Sequence, residues 1–315
     1  MLIQGGSQVK KAFIPLLILL SYILIVGFFF TNKLMFIKKK DNKDIIDRDS
    51  KFGLFNQQDY DSLDRRDFSI ESQFGYSIKG SVFEPHVTNK YMIICHGVTV
   101  NRLNSVKYMN LFLQKGWNVL IYDHRRHGES GGKTTSYGHY EKFDLQSVVD
   151  WLKKEVGDNI FLGVHGESMG AVTTLLYAGM VEDGADFYIA DCPFSELEAQ
   201  LLYRLKVEFN IPSVLVMPIA KPFVQLRDRY SIKGVSPLQA VPNIKSPILF
   251  IHSKDDDYIP SDMSKLLYEK KKGAKKLFIA EKGSHAMSYA ENREEYSKVI
   301  DEFFADIGVT EENRG

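Results

Sequence analysis

Short apolar runs alternate with longer, helically spaced ones along most of this chain. Residues 68–84 alternate apolar and polar positions around Phe74-Gly75-Tyr76, which predicts a hairpin of two strands. Six further strand-like runs lie at 91–95, 117–122, 159–165, 187–190, 247–251 and 276–280. Helical patterns fill 101–115, 139–155, 169–180, 261–272 and 292–306. Strands and helices in this order predict an α/β fold. Its eight-stranded, mostly parallel sheet carries helices on both faces and active groups at the carboxyl ends of its strands.

Two segments leave this rhythm. Ala12 to Phe30 is a run of nineteen uncharged residues, preceded by Lys10 and Lys11 and followed by Lys33, Lys38, Lys39 and Lys40. At ~1.5 Å per residue it nearly spans a ~30 Å hydrocarbon layer. A cleaved signal would have a shorter apolar run ending at small residues, whereas this one ends in Phe28-Phe29-Phe30. The expectation is therefore an uncleaved, single-pass cell-membrane anchor. The lysines after the span favour a cytoplasmic location for the domain that follows, whereas the basic head and apolar run resemble an export signal. These arguments conflict; an extracytoplasmic domain is the working expectation and the cytoplasmic face its alternative. The second departure, 194–245, separates two strands by about fifty residues and contains the apolar, proline-broken stretch 211–224. A connection so long usually carries its own structure, and it reads as a small helical cap. The resulting division is 1–40 for the anchor and its flanks, 41–67 for a juxtamembrane linker, and 68–315 for the α/β domain with the cap inserted at about 194–245.

Lys+Arg and Asp+Glu each total 40, so the chain is neutral overall. That argues against a nucleic-acid partner. Cys95 and Cys192 form neither a disulfide framework nor a metal spacing, and each reads as small buried filler. No cofactor and no metal are expected, and the oligomeric state is left open.

Candidate chemistry centres on Gly166-Glu167-Ser168-Met169-Gly170, between the apolar run 159–165 and a small-residue helical run. Strand, sharp turn and helix are the context in which G-x-S-x-G holds a nucleophilic serine, its hydroxyl raised above the sheet by a strained backbone. A serine nucleophile needs a base, and the base an orienting acid. His285 follows the last strand, and Asp256 follows the strand before it. Of eight histidines, His285 alone lies at a strand exit after both the serine and the acid loop. An oxyanion needs donors as well. The backbone N–H of Met169 is one, and that of Val98, beyond Gly97 in the loop after 91–95, is the second. His96 reads as the residue that orients this loop.

Together with Asp123–Ser130, Asp256-Asp257-Tyr258-Ile259-Pro260 and Gly283-Ser284-His285, these motifs resemble those of the α/β-hydrolase superfamily over roughly 68–306. Tyr137–Glu141 and Ala190–Phe194 resemble its membrane-anchored bacterial, serine aminopeptidase-like members. The resemblance implies the chain order serine, acid, histidine. It selects Asp256 within the aspartate run, with Asp191 as the alternative acid, and implies that the Asp123–Ser130 loop is structural. The expected activity is hydrolysis of small or lipophilic carboxylic esters through an acyl-enzyme, with cap residues 211–224 lining a pocket above Ser168. A peptidase, an acyltransferase and a catalytically silent, membrane-anchored binding protein are the alternatives.

Overall fold

The computed structural model describes residues 5–309, with side chains from Phe13 onward. The chain opens with α1 (Gly5–Met35), α2 (Asn42–Lys51) and α3 (Gln57–Ser62). The sheet strands are β1 (Arg66–Glu71), β2 (Ser77–Phe83), β3 (Lys90–Cys95), β4 (Asn118–Tyr122), β5 (Phe161–Glu167), β6 (Phe187–Asp191), β7 (Ile248–Ser253) and β8 (Lys275–Ala280). Between and after them lie α4 (Val106–Gln114), α5 (Glu141–Val156), α6 (Met169–Met180), α7 (Leu197–Arg204), α8 (Met217–Asp228), α9 (Pro237–Ala240), α10 (Asp262–Lys270), α11 (Ser288–Glu291) and α12 (Arg293–Asp306). The strand order is β1-β2-β4-β3-β5-β6-β7-β8. β2 runs antiparallel to both of its neighbours and every other pairing is parallel, as the alternation of strands and helices implied.

β3 and β4 are buried at every position, which is what two covered faces demand of central parallel strands. Alternate residues serve opposite faces. Ile93 packs in one cluster with Leu145, Val148, Leu175 and Leu267 of α5, α6 and α10. Its neighbours Met92 and Ile94 pack in the other, with Phe112 of α4 and Ile300 of α12. Cys95 and Cys192 are buried and unpaired with each other.

Two segments go beyond their expected form. The mixed, charged composition of residues 41–67 predicts a juxtamembrane linker with one short helix. They form α2, α3 and the start of β1, and Ile45, Leu54, Phe55 and Tyr60 are buried. The last three belong to the cluster that covers one face of the sheet. The cap does form its own helices within 194–245, and Val216, Met217, Ala220 and Val224 line a cavity against α1 that shares Tyr258 with the cleft at Ser168. Val216, Met217 and Ala220 pack with Val26 and Phe30 of α1. The α1 stretch Phe13–Met35 is long and apolar enough to cross a membrane.

Ile45→Ala in the full-length protein should cost about 2–5 kcal/mol, the usual penalty for emptying a buried aliphatic site. Denaturant unfolding checks this; a solvated linker would show no change.

Candidate active site

β5 ends at Glu167 and α6 begins at Met169, so Ser168 occupies the turn between them. Its backbone sits at φ 55° and ψ −115°, a left-handed conformation that is uncommon for residues other than glycine. The flanking glycines explain how the turn closes. A Cβ on Gly166 would lie 2.4 Å from the carbonyl carbon of Gly170, and one on Gly170 would lie 2.0 Å from the carbonyl oxygen of Cys95. Helix and strand approach too closely for any side chain at either position.

The Ser168 hydroxyl donates to His285 Nε2 at 2.9 Å, and His285 Nδ1–H donates to Asp256 Oδ2 at 2.7 Å. Asp256 Oδ1 accepts from the backbone N–H groups of Tyr258 and Ile259, both at 2.9 Å. His252 Nε2 faces two acceptors, Asp256 Oδ2 at 3.1 Å and the Ile259 carbonyl at 2.8 Å. That nitrogen therefore carries the proton, and Nδ1 accepts from the Ser264 hydroxyl at 2.7 Å. Burial pushes the Asp256 carboxyl up, but the bonds from His252 and His285 outweigh it and hold the acid well below the usual carboxylate range. Ser168, His285 and Val98 line one cleft of about 350 Å³.

The family model for serine aminopeptidase, S33, matches residues 87–230. The Bacillus subtilis protein YqkD, described as uncharacterized, is 52% identical over 304 residues, which is 96% of this chain and 100% of that one. An esterase from Pyrococcus furiosus superposes with a TM-score of 0.64 at 26% identity, over 80% of this chain and 96% of that one. The chain belongs to the α/β-hydrolase superfamily. A lysophosphatidylserine lipase of Xenopus tropicalis is 25% identical to the hydrolase over 172 residues, or 52% of this chain and 41% of that relative's length.

The loop after β3 lies beside the serine because β3 pairs with β5, Cys95 opposite Gly166. The hydrolase fixes this loop with His96, whose Nδ1 donates to the Gly97 carbonyl at 2.7 Å and whose Nε2 accepts from the His124 N–H at 3.0 Å. Burial lowers the His96 pKa to about 4, so the ring stays neutral and keeps both bonds. Val98 follows Gly97 at the mouth of the cleft, and Met169 opens α6 directly after the serine. The Asp123–Ser130 loop is tied down internally: Asp123 accepts from the N–H groups of Arg102 and Glu129 at 2.8 and 3.0 Å.

A buried charge network lies beneath the serine, and no pattern in the sequence marks it. Glu167, the second residue of the pentapeptide, pairs with Lys107 at 2.5 Å and accepts from Asn104 and Tyr108, both at 2.9 Å. Burial pushes the Glu167 carboxyl up, but Lys107 and Arg48 overcome it and hold it at about 2. Asp191, the alternative acid, belongs to this network and not to the serine's chain of bonds. It accepts from Ser288 at 3.0 Å and lies 3.1 Å from the hydroxyls of Tyr108 and Tyr296. Burial and the nearby Glu167 raise its pKa to about 6. His252, just after the strand-like run 247–251, is a second residue that no motif marks. Neither His252 nor Lys107 belongs to a motif; the one local signal is the spacing of His252 four residues before Asp256. Cys192, Asp256 and His285 have donor atoms within 4.8 Å of one another, the one such group among the described residues. It overlaps the serine's own chain of hydrogen bonds.

Gly170→Ala should destabilise the fold by about 1–3 kcal/mol or more through overpacking, read by denaturant unfolding. Lys107→Met should cost about 3–5 kcal/mol by stranding Glu167 as a buried charge. Adding Glu167→Gln should restore part of that loss, which the same unfolding measurement reports.

Proposed function

We propose that this protein is a membrane-anchored serine ester hydrolase. The observation that carries the reading is the unbroken chain of bonds from Ser168 through His285 to Asp256. As an ester carbonyl approaches, Ser168 Oγ attacks it and His285 Nε2 takes the hydroxyl proton. Asp256 keeps the ring in the tautomer whose Nε2 is free to accept, and stabilises the positive charge the ring acquires. The N–H groups of Val98 and Met169 donate to the oxyanion. On collapse, His285 returns the proton to the departing alcohol and the acyl group stays on Ser168. A water molecule then repeats the sequence, releasing a carboxylic acid and regenerating the serine.

The α1 helix is the proposed anchor, which makes this a single-pass cell-membrane protein with the catalytic domain outside the cytoplasm as the working orientation. A small-molecule ester is the proposed substrate, with no nucleic-acid partner. Lipophilic esters fit an enzyme held at a membrane, and the relative named as a lysophosphatidylserine lipase agrees with that class. A peptidase reading is less well supported. An aminopeptidase needs an acidic group to meet the substrate's amino terminus, and the four cap acids are engaged elsewhere. Glu198 pairs with Lys221, Glu208 with Arg204, Asp228 with Thr134, and Glu196 bonds Ser236.

Ser168→Ala should abolish both turnover of p-nitrophenyl esters and labelling by a fluorophosphonate. His285→Ala and Asp256→Asn should each lower kcat by roughly 10⁴-fold, while Asp191→Asn retains most of it. Labelling of Ser168→Ala at the wild-type rate would refute the assignment.

A further inference from the structure

An apolar cavity lies between α1 and the cap. It has a volume of about 760 Å³ and is walled by Phe30 and Leu34 of α1 and by Val216, Ala220 and Val224 of the cap. That volume falls within the ~300–1,000 Å³ range of small-molecule sites. Tyr258 lines both this cavity and the cleft that holds Ser168. Its ring lies 5.0 Å from that of His285, and the Arg204 guanidinium stacks on it at 4.2 Å. Tyr258 is therefore the partition between the serine and the cavity.

The depth of the cap relative to α1 points to the occupant. The Tyr22 hydroxyl donates to the Leu215 carbonyl at 2.8 Å, and the Phe223 ring packs over Gly27 and against Phe28, with a ring separation of 5.6 Å. From Tyr22 to Phe30 is eight residue steps, about 12 Å of helix. With 12–30 in the hydrocarbon layer, the lower edge of the cap lies at the depth of the acyl chains. Its outer surface matches that environment: Val214 is 72% exposed and Leu226 79%, and apolar groups turned outward mark a membrane-facing surface.

We infer that the cavity between α1 and the cap is the acyl-chain site, entered from the bilayer, with the anchor helix itself forming one wall. This rests on the ester hydrolase reading and adds to it where the acyl group goes. The carbonyl is held at Ser168, and the chain passes Tyr258 into the space between Leu34 and Ala220. The anchor is then part of the substrate site and not only a tether.

The test uses the full-length protein in lipid nanodiscs. Ala220→Phe places a ring in the cavity, and the ratio of kcat/KM for p-nitrophenyl dodecanoate over p-nitrophenyl acetate should fall at least tenfold. Independently of any variant, a fluorophosphonate with a twelve-carbon chain ending in a diazirine should label Ser168. On irradiation it should crosslink within 30–38 or 216–224. An unchanged ratio, or crosslinks confined to other segments while acetate is still hydrolysed, overturns the cavity assignment and leaves the ester hydrolase standing. Absence of both acetate turnover and fluorophosphonate labelling in the wild type overturns both.

Discussion

The geometry of the site depends on one close contact, that of the start of α6 against the carboxyl end of β3. Gly170 sits so near the Cys95 carbonyl that a single methyl group would overlap it. This contact forces the chain to turn within one residue and leaves Ser168 in a left-handed conformation. The strain is held by what surrounds it. The Ser168 N–H donates to the Asp191 carbonyl at 2.8 Å, and the Val172 N–H to the Ser168 carbonyl at 3.0 Å. A strained residue persists only where the surrounding structure over-determines it, and here parallel strands and a helix buried from Met169 to Ala178 do so.

The polar layer beneath the serine is a second consequence of that turn. The Glu167 carboxylate is buried, where an isolated charge would be very costly. Lys107, Tyr108 and Asn104 of the segment leading into and through α4 satisfy it, and Arg48 adds charge from α2. The same network reaches α11 and α12 through Asp191, by way of Ser288 and Tyr296. The segment before the sheet is thus tied both to the hydrophobic core and to the electrostatics under Ser168.

Helix α1 and the cap are joined in the same way. Residues after the apolar span run directly across the fold: the Lys40 N–H donates to the Thr99 carbonyl at 2.7 Å, one residue beyond Val98. Lys40 also lines the serine's cleft. The position of α1 is therefore fixed relative to the cleft by contacts on both sides, through the cap and through this strap.

By itself the sequence determined the α/β architecture, the eight strands and the turn that carries Ser168. It also determined the chain order that pairs His285 with Asp256 across 29 residues. These are legible because a two-residue or 3.6-residue period, a glycine where no Cβ fits and a loop at a strand exit are local facts. Tertiary structure alone decided that residues 41–67 join the core, that His252 braces Asp256, that Lys107 neutralises Glu167 and that 211–224 pack on α1. Lys107 and Glu167 are 60 positions apart, and Tyr22 and Leu215 are 193. No period or motif marks such partners, because what pairs them is the burial of a charge or an apolar face that exists only once the chain has closed.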